Sequence, residues 1–104
     1  MHHLRGLRSF LKDDELLSKV EAAVHRAGAI DFESLATHLS AKRVAMLRYA
    51  VKLTIAPKTM EQADVGRLKE HGFSSSDILH LAELVGYFAY VNRIADGLGV
   101  ALED

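Results

Sequence analysis

The sequence predicts an all-α fold, a compact bundle of five to six helices, and three observations carry that prediction. Apolar residues recur at three- and four-residue spacing through almost the whole chain, the period of a helix with one buried face. Start and stop signals bracket those runs, with Ser, Thr or Asp before them and Gly or Pro after them. No two-residue alternation of the strand kind survives for more than a few positions. At 104 residues and 49% hydrophobic, the chain is one domain's worth of material, residues 1–104, with no linker, repeat or low-complexity tract.

The elements follow in order. Residues 2–12 put Leu4, Leu7 and Leu11 on one face, with Arg5, Arg8 and Lys12 elsewhere, which predicts an amphipathic helix. A second helix over 13–28 opens on acids, buries Leu16, Leu17, Val20, Ala23, Val24 and Ala27, and stops at Gly28. A short helical segment over 31–39 aligns Phe32, Leu35, Ala36 and Leu39. Ser40 caps a fourth helix over 41–55, whose face is Val44, Leu47, Val51 and Ile55 with Met46 and Tyr49 beside it. Pro57 ends that helix, since it lacks a donor and its ring clashes with the preceding turn. Thr59 with Gln62 reads as the capping box of a fifth helix that ends at Gly72.

The stretch 74–99 is the one the other helices are expected to lie along. Ser74 and Asp77 form a capping box, and Ile78, Leu81, Val85, Phe88, Val91 and Ile94 make a stripe widened by Leu84, Ala89 and Ala95. Gly97 and Gly99 supply left-handed conformations for its end. At about 1.5 Å per residue it runs about 35 Å, too long and too apolar to stand alone in water.

Composition excludes several functions. Thirteen basic residues against 14 acidic ones leave a net charge of −1, which offers phosphate backbones and anionic membranes no global field. There is no cysteine, so disulfides, thiolate metal sites and cysteine nucleophiles are absent from this sequence. The long stretch carries Glu83, Arg93 and Asp96, which argues against a membrane span, and no apolar leader stands at the start. A cytoplasmic protein is expected. Residues 64–84 imitate a helix-turn-helix, but the second helix opens on Ser75, Ser76 and Asp77 where base readers need Arg, Lys, Asn or Gln. No nucleic-acid partner is expected.

Candidate chemistry is thin. His80 with Glu83 and Glu21 with His25 each share a helix face, yet no second carboxylate–histidine pair completes a di-metal motif. His38 and His71 stand near helix C-termini, where a partly cationic imidazole favours the dipole. Tyr49, Tyr87 and Tyr90 on apolar faces read as packing residues with polar tips. Neighbouring His2 and His3 point about 100° apart on a helix and do not chelate by spacing. No phosphate loop, zinc spacing or nucleophile elbow occurs, so no cofactor and no metal is expected.

The run from Tyr49 to Glu103 carries YAVKLT followed by Pro57, a Gly72-Phe73-Ser74 turn, and VNRIADGLG from Val91. In these pieces it resembles the downstream half of the peroxidase-related branch of the alkylhydroperoxidase D-like, or carboxymuconolactone decarboxylase-like, family. The segment HHLRGLRSFLKD looks like the one that directly follows that family's redox site. The resemblance implies an all-helical homo-oligomer (trimer or hexamer, with a dimer also compatible) and an oxidoreductase that reduces peroxides through Cys-x-x-Cys and a histidine relay. It places the relay histidine on His3, with both cysteines and the upstream glutamate falling before Met1. A peroxidatic step needs a thiolate that becomes sulfenic acid and a second thiol that resolves it, which a methionine thioether cannot supply. Two readings stay open: a piece of an active peroxidase subunit, or a non-catalytic module for oligomerisation or for binding a small apolar ligand.

Overall fold

Helix formation follows the caps closely. The structure, a computed structural model, describes residues 14–100, with side chains from Ser18 onward. Five α-helices follow one another: α1 (Asp14–His25), α2 (Phe32–Ala36), α3 (Ala41–Ile55), α4 (Gln62–Glu70) and α5 (Ser75–Leu98). Short 3-10 turns at Ala27–Ala29 and Pro57–Thr59 separate α1 from α2 and α3 from α4, and no strand occurs among the described residues. The all-α bundle expected from the sequence is what forms. His2, His3 and the helix expected over 2–12 lie outside the described residues.

The caps expected at Ser40, Ser74, Gly72 and Gly99 are in place. Gly97 stays helical within α5, α1 ends at His25 before Gly28, and one capping box forms on residues other than those expected. Ser74 Oγ accepts from the Asp77 N–H at 3.0 Å, and the Asp77 carboxylate accepts from the Ser74 N–H at 2.9 Å. Ser40 Oγ accepts from the Arg43 N–H at 3.2 Å. At the far end of α5, Gly99 takes φ 70°, while the Gly99 and Val100 N–H groups close on Asp96 and Ala95 carbonyls. Gly72, at φ 91°, ends α4 in the same way, and its Phe73 N–H reaches the Leu68 carbonyl at 3.1 Å. Phe73 and Leu68 are both buried, which is the apolar contact such a helix end carries. The displaced box is the one at α4. The Thr59 hydroxyl turns back to donate to the Ala56 carbonyl at 2.7 Å, so it caps nothing ahead of it. Asp64 instead accepts from the Glu61 N–H at 2.8 Å, and the helix starts two residues later than a Thr59 cap would place it.

Packing corrects the emphasis placed on the long helix. Helix α3 touches every other element, whereas α5 packs on α1, α3 and α4. Val44, Met46, Leu47, Ala50 and Val51 of α3 are buried, and Ala45, Tyr49 and Leu53 pack partly against the same core. Apolar side chains thus point around most of the α3 circumference, and such a helix needs cover on most sides. Val20, Ala23 and Val24 of α1 and Ile78, Leu81, Leu84 and Val85 of α5 close over it.

Two residues expected on the buried faces of α3 and α5 are on the surface. Ile94 is 47% exposed, because the buried side of α5 continues through Ala95 instead. A step of seven residues from Phe88 returns to the same side within about 20°, and Ala95 occupies that place. Ile55, the last residue of α3, is 60% exposed. Burial separates otherwise similar leucines on α5. Leu84→Ala, which empties a fully buried site, is expected to cost about 2–5 kcal/mol in urea unfolding. Leu79→Ala, at a position 60% exposed, is expected to stay within about 0.5 kcal/mol.

Candidate functional site

Helix α2 has only five residues, too few to cover the flank of α3 it lies against. Among the described residues, a groove of about 770 Å³ lies between α2, α3, the Pro57–Thr59 turn and α4. Its α3 wall is one face read at helical spacing: Ala41, Ala45, Arg48, Lys52 and Ile55. Its α4 wall is another: Asp64, Arg67, Leu68 and His71. Phe32, Ala36 and Leu39 close the apolar end. A volume of this order, apolar walls and a few convergent polar groups are the attributes of a small-molecule site.

The polar end centres on Asp64, which is 8% exposed. Lys52 Nζ donates to both carboxylate oxygens at 2.9 Å, and the Glu61 N–H donates at 2.8 Å. Arg67 Nη1 adds a longer contact of 3.3 Å. The Lys52 hydrogen bond, then the Glu61 N–H, hold the Asp64 carboxyl below its ordinary 3.8. Tyr49 beside it is pushed above its ordinary 10.0, first by burial and then by the Asp64 charge. At neutral pH its hydroxyl is therefore a hydrogen-bond donor and not a base. The Arg48 guanidinium lies over the Phe32 ring, 4.5 Å from its centre, a cation–π contact between α3 and α2.

The residues singled out in the sequence scatter. His71 and Tyr49 reach the groove. His80 and Glu83 are half-buried on α5, outside the groove lining, and Glu21, His25 and His38 are exposed. Tyr87 packs against Phe88 with ring centres 5.6 Å apart, and Tyr90 is exposed. His3 lies outside the described residues. Among those residues no cluster of three or more His, Asp or Glu side chains gathers around a common point. Nor is any helix there long and apolar enough to cross a membrane. Sequence reading passed over Arg48, Lys52, Asp64 and Arg67. Arg48 and Lys52 stand four apart on one face of α3, but nothing local tied them to Phe32 or Asp64.

No family model matches the chain, and no curated protein matches it. A solved structure does: that of an uncharacterized peroxidase-related protein from a Silicibacter species, 28% identical, with a TM-score of 0.63. The match covers 92% of this chain and 54% of the other, so this chain spans about half the length of that protein. The likeness agrees with the peroxidase-related character of the sequence resemblance.

The charge at Asp64 sets a pH dependence. Its carboxyl is depressed in the folded state, so its contribution to stability is complete above the ordinary value of 3.8 and is lost as pH falls through the folded value. The urea midpoint is expected to fall as pH drops from neutral towards about 2, and Asp64→Asn is expected to lower it at neutral pH and to shrink that acid-side loss. Equal acid profiles for the two proteins would remove Asp64 as the group responsible.

Proposed function

We propose that this chain is the downstream helical part of an alkylhydroperoxidase D-like, peroxidase-related protein, and that it binds a small apolar ligand in the α2–α3–α4 groove. The observation that carries the binding reading is the groove itself, lined by apolar side chains and by a polar cluster in which Lys52 holds Asp64. The lineage reading is supported by the likeness to the Silicibacter peroxidase-related protein. With no cysteine in the sequence, the chain holds no group that cycles between thiolate and sulfenic acid. Any thiol step in an assembly containing it draws its sulfur from outside these 104 residues. The groove supplies a protonated tyrosine and fixed cations, which hold a ligand and do not oxidise one.

A second role, assembly into a homo-oligomer, is favoured by a separate observation. Tyr90, Ile94 and Leu98 are exposed at four-residue spacing along the second half of α5, one apolar stripe on one side of the helix. Monomers seldom leave such a stripe to water.

Three measurements test these readings. The purified chain, with metals chelated, is expected to consume no peroxide in the presence of a thiol reductant, and turnover would overturn the account of its chemistry. Nile red, a neutral apolar dye, is expected to brighten on binding, and Ala45→Trp, which fills the groove, to weaken that binding by about tenfold. Unchanged dye binding in a folded Ala45→Trp variant would remove the groove as the site. Light scattering is expected to give a dimer or larger species that Ile94→Asp shifts towards monomer; a wild-type monomer would exclude the assembly reading.

A further inference from the structure

Charge in the groove is not balanced as it is in the whole chain. The sequence carries a net charge of −1, yet the groove lining sets Arg48, Lys52 and Arg67 against one carboxylate, Asp64. That carboxylate is matched by Lys52, which reaches both of its oxygens at 2.9 Å. Positive charge in excess therefore resides on the two arginines, and it borders the apolar end formed by Phe32 and Leu39. From this pairing of a cationic rim with an apolar wall, we propose that the groove takes a small monocarboxylate with an apolar tail, its head on Arg48 and Arg67. The proposal rests on the reading of the groove as a ligand site.

The two arginines suit this task differently. The Arg48 guanidinium lies over the Phe32 ring, 4.5 Å from its centre, which holds its fork of N–H groups beside the apolar end. A planar carboxylate matches that fork through two parallel hydrogen bonds, a geometry that a lysine ammonium does not offer. Arg67 is 61% exposed and meets Asp64 through one contact of 3.3 Å, long for a charge-assisted hydrogen bond. Turning it towards a bound anion gives up little. Tyr49, held protonated by burial and by Asp64, adds a neutral donor on the same wall. Val44 and Ala45 continue the apolar lining along α3, where an alkyl or aryl tail leaves water.

Titration of the isotopically labelled chain with octanoate and with octanol, followed through backbone amide shifts, separates the possibilities. Octanoate is expected to move the amides of Phe32, Leu39, Ala45 and Arg48, and to bind about tenfold more tightly than octanol. Arg48→Ala is expected to remove about that tenfold for octanoate while leaving octanol within about a factor of two. Arg48→Lys is expected to restore only part of it, because the fork is lost. Should Arg48→Ala lose its dispersed spectrum, Arg67→Ala, at an exposed position, reads the same preference. Equal affinities for acid and alcohol would overturn the carboxylate assignment and leave the groove a neutral ligand site. Tighter binding of octyl phosphate by about tenfold would overturn it in favour of a dianion. Absence of shifts with all three, as when a second copy or another segment fills the groove, would overturn both readings.

Discussion

Helix α3 must be covered around most of its circumference. Its buried residues Val44, Met46, Leu47, Ala50 and Val51, with Ala45, Tyr49 and Leu53 half-covered, point in nearly every direction around its axis. The rest of the molecule is arranged to satisfy that demand, and each remaining element rests against it. Cover is complete where long helices supply it, as α1 and α5 do, and incomplete where α2 runs for little more than one turn. The groove is that incomplete cover.

A single buried carboxylate then decides what the groove contains. Taking the Asp64 charge out of water costs free energy unless partners replace the lost hydration. Lys52 from α3 and the Glu61 N–H at the start of α4 supply them, which ties the end of one helix to the beginning of the next. The same contacts bracket the corner made by Pro57–Thr59, and Arg67 meets the same carboxylate at 3.3 Å. Electrostatics here positions the wall of the site; the apolar residues give it volume.

The peroxidase-related likeness and the absence of cysteine describe different levels of the molecule. The first concerns how helices are laid together, and it extends over 92% of this chain. The second concerns which chemistry those helices hold, and there a thiol cycle has no cysteine to run on. The two are separate facts, because packing asks for volume and period and chemistry asks for particular atoms.

What the sequence determined by itself is everything decided within about one helical turn. Ser40, Ser74 with Asp77, Pro57, Gly72 and Gly99 mark helix ends through bonds to residues no more than five positions away, so their meaning is local. Helical period likewise identified the buried residues Val20, Val24, Leu47, Leu81 and Val85, since each helix has one face that must leave water. Only the tertiary structure decided which of two adjacent faces wins near the end of α5, where Ala95 is buried and Ile94 is not. It also decided that Asp64, at the start of α4, is held by Lys52, twelve positions away. Arg48 over Phe32 belongs with these. Such pairings depend on how separate helices are brought side by side, and no spacing along one helix encodes the distance to another.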